Sequence, residues 1–410
     1  MKLKKYTKAV ILVTLFLIYA GASYAQSVYN AYGIGLQKHV ISVRAAGMGG
    51  AGIALPDNIV QNHLNPSVWT ELDYASITAG VSSEGIRFET SDYTKTSGNT
   101  SWNQVGFAVK TTKNSAIGIG FYPFMDSDFQ FYTSNDEYQQ TVKSSGGTSI
   151  GYAGIAYKFM DFISIGAKIL YYFGSTNENW SLIFAQPSYR ASETNRTVSR
   201  WGKGYSIGTT LWLHPKLRIG AVYVAESELE TELEIEERSA GKLPLIVDNY
   251  YTTIPSSFGL GTSLNLYRGI DLAFDYFTTK MQDYKYGDDV NPGYRNSTRY
   301  SAGFEFKSEK RPGMPFLKRL NYSLGGYYWD LYNNDLDGSA LTEKFVTAGF
   351  SWQFNNLVGQ AGSIPFFPTR IDIAIQGGIR SSETESLGSE KIFRFYISLA
   401  KGETWFIRRR

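Results

Sequence analysis

KIFRFYISLA at residues 391–400 and RIDIAIQGGIR at residues 370–380 carry one pattern. In the first, Phe393, Phe395, Ile397 and Leu399 alternate with Arg394, Tyr396, Ser398 and Ala400; in the second, Ile371, Ile373, Ile375 and Ile379 oppose Asp372, Ala374, Gln376 and Arg380. A period of two places each row on its own face of a strand, so each segment has one apolar and one polar face. The pattern recurs from Asp73 onward, in segments at 73–82, 102–110, 116–124, 148–159, 162–173, 202–213, 216–225, 255–266, 269–279, 299–307, 319–329, 344–354, 370–380 and 391–400. They are roughly 9–13 residues long, near the 9–11 that a tilted strand needs to cross a bilayer.

The connections sort into two kinds. TTKN, MD, HP and YR are minimal turns, whereas the connections between them are long. Short turns on one side and long loops on the other are the plan of an outer-membrane barrel, with the short turns in the periplasm. The connection after Phe354, NNLVGQAGSIPFFPT, departs from that plan. A soluble β-sandwich also alternates, but here nearly every segment has an apolar row, and aromatics crowd the strand ends at Phe121, Tyr122, Phe124, Tyr171, Tyr172, Phe173, Trp212, Tyr327, Tyr328, Trp329, Trp352 and Phe354. Such belts sit at membrane–water interfaces. The fold expected is all-β, an antiparallel transmembrane β-barrel of about 14 strands with its apolar rows toward lipid.

Composition agrees. The 410 residues include 41 Gly, 30 Tyr, 25 Phe and 8 Trp, yet mean hydropathy is only −0.23, as when half of each strand faces lipid and half a wet lumen. With no cysteine, disulfides, thiolate metal sites and a lipidated cysteine are excluded. A net charge of +3 gives no argument for nucleic acid. At the N-terminus Lys2, Lys4, Lys5 and Lys8 precede an apolar run from Ala9 to Ala20, with Ser23 and Ala25 placed for a signal peptidase. Residues 1–25 therefore read as a cleavable signal peptide, 26–72 as a segment before the barrel, 73–401 as the barrel and 402–410 as a basic tail.

The segment before the barrel contains RAAGMGGAGIALPDNIVQNHLNPSVW, from Arg44 to Trp69. Gly47, Gly49, Gly50 and Gly52 allow tight turns and close backbone approach, and Asn65-Pro66 initiates a turn. A barrel of about 14 strands leaves a lumen to fill or to stopper, so this segment reads as a plug. A glycine-rich GMGGAGIA followed by an Asn-Pro step, between a signal peptide and such a barrel, resembles the FadL/TodX family of outer-membrane transporters for hydrophobic compounds. It also resembles the PorV-type barrels of a secretion apparatus. The resemblance implies a hatch made by Gly47, Gly49, Gly50, Asn65 and Pro66. Ser67 stands where that family usually has alanine, and the end TWFIRRR departs from the usual aromatic terminus.

The function implied is uptake of fatty acids or aromatic hydrocarbons past the hatch or through a lateral opening. The alternative is a PorV-like interaction barrel serving protein secretion. Partners expected are outer-membrane lipid, lipopolysaccharide, a hydrophobic small-molecule ligand and the barrel assembly machinery, in the outer membrane of a Gram-negative bacterium. Phe129, Phe131, Tyr132 and Phe184 are candidates for a pocket. No cofactor, metal or catalytic group is expected, because His39, His63 and His214 are not placed with a nucleophile.

Two charge patterns stand out. Glu226, Glu228, Glu230, Glu232, Glu234 and Glu236 form an acidic row, expected on a tall extracellular hairpin with Arg196 and Arg200 opposite as ion-pair partners. Asp271, Asp275, Asp372 and Arg394 fall on lumen rows, and Asp372 with Arg394 is the expected ion pair. NNDLDG, from Asn333 to Gly338, is expected to be a solvated loop tip.

Overall fold

The computed structural model describes residues 27–31, 33–186, 188–238, 245–266, 269–287, 293–308, 315–335, 337–356, 367–403 and 405. The expected signal peptide and most of the C-terminal tail lie outside them. Fourteen antiparallel strands form a closed wall. They are β1 (Ala75–Glu89), β2 (Thr94–Lys110), β3 (Ser115–Asp126), β4 (Tyr138–Phe159), β5 (Ile163–Phe184), β6 (Ser192–His214), β7 (Leu217–Val224, continued by Ser227–Arg238), β8 (Leu245–Ile254, continued by Ser257–Asn265), β9 (Ile270–Thr279), β10 (Ser297–Phe306), β11 (Asn321–Asn334), β12 (Ala340–Asn356), β13 (Phe367–Ser381) and β14 (Ser389–Glu403). The ring closes where β14 pairs with β1, from Ser389 opposite Glu89 to Glu403 opposite Ala75. Closure leaves no unpaired strand edge, which a lipid surround requires.

The rows point as the alternation predicts. Ile77, Ile119, Ile155, Ile169, Ile207, Phe274, Val346, Ile375, Phe393 and Leu399 are exposed on the outside. Asp271, Asp275, Asp372, Gln376 and Arg380 are buried inside. Apolar out and charged in inverts the order of a water-soluble protein, and is the arrangement a hydrocarbon surround favours.

One end of the barrel has tight connections at 111–114, 160–162 and 215–216; the YR turn at 267–268 and most of the long connection after Phe354 lie outside the described residues. At the other end the wall is uneven. β4, β5 and β6 run for 22, 22 and 23 residues, about twice a membrane crossing, so their upper halves stand clear of it. The sequence pattern ends those segments near Thr148, Phe173 and Gly202, because above the membrane the outward row meets water instead of lipid and loses its run of apolar side chains. Leu245–Ile254 stands in the same tall region, outside the expected segments.

The acidic row belongs to this tall region. Ser227–Arg238 is a strand, paired on one side with Leu245–Ile254 and on the other with the top of β6. The expected partners are not its partners. Below, Ser206 stands opposite Val224; above, Gly202 stands opposite Leu229, so one extra residue is taken up around Ala225 and Glu226. A one-residue shift exchanges the two faces of a strand. Arg196 therefore pairs with Ile235 and Arg200 with Thr231, in the inward row, and the glutamates face outward, where Trp201 Nε1 donates to Glu230 at 2.8 Å.

Because the chain has no cysteine, single cysteines report topology without background. A cysteine at Glu232 is expected to react with a membrane-impermeant maleimide on intact cells, and one at Lys113 only after the outer membrane is opened. Labelling in the reverse order would overturn the orientation.

Candidate functional site

Residues 27–72 run inside the ring, and their chemistry explains how they stay there. Tyr29, Met48, Ile53, Ile59 and Trp69 are fully buried. A short helix at Val43–Ala46 starts at Ser42, whose Oγ accepts from Ala45 N at 3.1 Å. The chain then turns through Gly49 and Gly50 at φ of +73° and +79°, a left-handed backbone that glycine adopts without strain. This turn lies backbone to backbone against the wall: a Cβ on Gly303 would come within 2.5 Å of Met48 O, and one on Gly47 within 3.0 Å of Gly349 Cα.

Asn65 and Pro66 are seated in the same manner. A Cβ on Gly166 would come within 2.8 Å of the Pro66 carbonyl carbon. Asn65 Oδ1 accepts from Ser67 N at 3.1 Å and caps the 3₁₀ turn Pro66–Glu71, and its Nδ2 donates to Ile53 O at 2.8 Å. Ser67 is used too, its hydroxyl lying 2.7 Å from Thr210 Oγ1 on β6. A buried backbone far from any sheet must find side-chain partners. Gly49 N donates to Thr347 at 2.8 Å, Gly52 N and Ile53 N donate to Asp275 at 2.6 and 2.8 Å, and Lys168 Nζ donates to His63 O and Leu64 O at 2.5 and 3.1 Å.

Charge fastens the segment further. Arg44 lies against Glu305 of β10, its Nε donating at 3.0 and 3.1 Å to the two carboxylate oxygens, and reaches Asp57 at 3.2 Å. Asp57 in turn takes two bonds from Arg370 of β13, at 2.9 and 2.7 Å, and Arg370 Nε donates to Asp372 at 3.0 Å. A second cluster holds the start of the segment: Ser27 Oγ donates to Glu390 at 2.8 Å, and Arg380 joins Glu390 to Glu343 at 2.5 Å each. His63 and His39 serve packing, His63 Nδ1 lying 2.6 Å from the Tyr152 hydroxyl and His39 lying edge-on to Phe277.

The expected pair of Asp372 with Arg394 is not formed. Asp372 stands opposite Ser398 and Arg394 opposite Gln376, four positions apart, or about 13 Å along a strand. Asp372 takes Arg370 instead, and Arg394 bonds Glu84 and, at 3.1 Å, Glu343. The loop at 333–338 also differs from expectation. Asp335 is only 4% exposed and accepts from Ser382 Oγ and, at 3.2 Å, from Leu387 N, tying two outer loops together.

Two cavities among the described residues inside the ring are small. One cavity of about 70 Å³ is lined by Lys38, His39, Glu84, Arg299 and Arg394, and another of about 40 Å³ by Val40, Leu64, Tyr122 and Phe124. Both fall well short of the ~150 Å³ apolar cavity that accepts benzene. A larger chamber of about 400 Å³ opens at the outer mouth, above the segment, between the wall and the loop joining β9 to β10. Of the four aromatics expected to line a pocket, only Phe129 does so here. Phe131 packs on Phe129 at 5.4 Å, Tyr132 is 60% exposed, and Phe184 packs on Tyr189 at 5.3 Å.

Solved structures that share this architecture include hydrocarbon channels and transporters. The CymD monoaromatic hydrocarbon channel matches at a TM-score of 0.57 and 19% identity, over 91% of this chain and 99% of its own. The Ralstonia pickettii toluene transporter TbuX matches at 0.62 and 14% identity over 92% and 100%, and a Pseudomonas aeruginosa FadL homologue at 0.60 and 14% over 90% and 99%. The FadL-type fold is thereby shared along nearly the whole chain. No curated protein matches, and the model of the family BamG matches residues 2–410.

Arg44→Met would leave Glu305 buried without its main partner, and is expected to lower stability by about 3–5 kcal/mol. Adding Glu305→Gln should restore part of the loss. The temperature at which the folded band is lost in heat-modifiability electrophoresis measures both, and an Arg44→Met barrel as heat-resistant as the parent would overturn the assignment.

Proposed function

Because the chain belongs to the BamG family and its lumen is filled by its own N-terminal segment, we propose that this FadL-type outer-membrane barrel works through its surfaces, as a partner of the barrel assembly machinery. The observation that carries the reading is the clamped plug. Withdrawing residues 27–72 breaks the Arg44–Glu305 and Asp57–Arg370 bonds together with the amide bonds of Gly49, Gly52 and Ile53 to the wall, so all must part at once. A plug so held suits a seal better than a hatch opened at each turnover. The tall polar outer face of β4–β7, with its row of glutamates, offers surface of the kind a partner docks on. On this reading residues 1–25 direct export and are removed, and 26–72 are the plug.

Uptake of a hydrophobic small molecule is the second reading, favoured by the architecture shared with hydrocarbon channels; on it Gly47, Gly49, Gly50, Asn65 and Pro66 would belong to a hatch. It requires the plug to move.

Extraction of the tagged full-length protein from its native membrane in mild detergent separates the two. The expected result is co-purification with assembly-machinery subunits, with other outer-membrane barrels falling in abundance when this chain is depleted. A stoichiometric fatty acid or hydrocarbon by native mass spectrometry, with assembly of other barrels untouched, would overturn the first reading in favour of uptake.

A further inference from the structure

The chamber at the outer mouth has a chemistry of its own. Its floor is plug, at Asn30 and Gly33; one side is the inward row of β5 and β6; the other is the loop carrying Tyr284, Tyr286 and Tyr294. That loop is pinned, because Lys285–Tyr286 pairs with Thr252 and Thr253 of β8. The tyrosines form a packed set, Tyr284 on Tyr294 at 5.3 Å and Tyr294 edge-on to Tyr332 at 5.0 Å. Burial pushes the phenols of Tyr284 and Tyr294 above their ordinary range, so both rings stay uncharged beside the chamber.

Into this space points Arg200. The alternation of β6, regular against β5, points it inward with Val198 and Ser206, the shift at Ala225 and Glu226 carries the glutamates of β7 to the opposite face, and Arg200 is only 9% exposed. Arg196 beside it is occupied, with Glu178 at 3.2 Å. Arg200 is not: among the described residues no carboxylate lies within ion-pair distance, Nε has no partner, and the one bond of Nη1 is a long 3.5 Å contact with Thr176 Oγ1. A buried guanidinium without an anion is costly, and the chamber supplies the room for one to bind.

We propose that this chamber binds an anionic sugar, whose carboxylate or phosphate meets the Arg200 guanidinium while its ring lies against the tyrosines. The guanidinium fork matches an oxyanion with two parallel bonds, and it fixes which end of the ligand enters first. Tyrosine offers a flat apolar face beside a hydroxyl, as a sugar ring does. An acyl chain fits less well, since Asn30, Ser127, Thr176 and the Arg196–Glu178 pair would lose water against it without any bond in return. The volume falls within the range of small-ligand sites. The chamber faces outward, where such a sugar comes either from the core of lipopolysaccharide or free from the medium. The assignment does not depend on which partner the barrel serves.

The full-length barrel in detergent would be titrated calorimetrically with methyl glucuronide, methyl glucoside and dodecanoate. Glucuronide is expected to bind, glucoside at least tenfold more weakly, and dodecanoate not to compete. Arg200→Gln should weaken glucuronide at least tenfold; Arg200→Lys, which keeps the charge and loses the fork, should fall between, and decides the matter if Arg200→Gln does not fold. Native mass spectrometry identifies the source: lipopolysaccharide retained by the parent and lost in the variant points to the membrane, and glucuronide binding without it to a free saccharide. Equal binding of glucoside, affinity unchanged in the Arg200 variants, or preference for dodecanoate would overturn the proposal.

Discussion

A charge inside a lipid-wrapped ring has nowhere to go except to another charge. The inward rows of β1, β9, β10, β12, β13 and β14 carry Glu84, Asp271, Asp275, Glu305, Glu343, Arg370, Asp372, Arg380, Glu390 and Arg394, enough ionisable groups to make an empty lumen wet. The segment at 27–72 removes most of that water, and it does so by bringing its own charges. Arg44 answers Glu305, and Asp57 answers Arg370. Where it brings no charge it brings backbone, as at Gly52 and Ile53, whose amides meet Asp275. Plug and wall thus satisfy one another, and neither half is a reasonable structure by itself.

The glycines follow from the same constraint. A segment without regular structure can be hydrogen-bonded to a wall only if its backbone reaches the wall side chains, and close approach needs a missing Cβ on at least one side. Gly47 faces Gly349, Met48 faces Gly303, and Pro66 faces Gly166. The density of glycine in Arg44–Trp69 is half of that complementarity; the other half is scattered among strands, where each glycine by itself looks like a weakness in a β segment.

Much of this is legible in the chain. Alternation at 370–380 and 391–400 fixes which face meets lipid, and the minimal turns fix the order of strands. An apolar outward row persists only where it meets lipid, so the upper halves of β4, β5 and β6 leave little trace. Register is harder. Asp372 and Arg394 share a face and sit on neighbouring strands, yet pairing depends on an offset that no single strand encodes. Arg196 and Arg200 show the limit sharply, since one residue absorbed around Ala225 and Glu226 moves the glutamates to the opposite face. A clue to the inner clusters was available: charged residues that keep inward parity in otherwise apolar strands, such as Glu305 and Glu343, need partners inside.

The likeness to hydrocarbon channels and the density of the lumen are compatible once fold and work are separated. A closed wall with a plug solves the problem of a mid-sized barrel, whatever passes through it. Whether the plug is a gate depends on how much free energy holds it relative to what a ligand could return. A one-ring aromatic hydrocarbon burying six or seven carbons returns about 5 kcal/mol at most, at roughly 0.8 kcal/mol per carbon. Against that return, two hydrogen-bonded ion pairs and the backbone seam have to part together. With the interior so held, the surfaces left to act are the outer face of β4 to β7, the rim and the mouth, and these are where the sequence has spent its exposed glutamates, tryptophan and unmatched arginine.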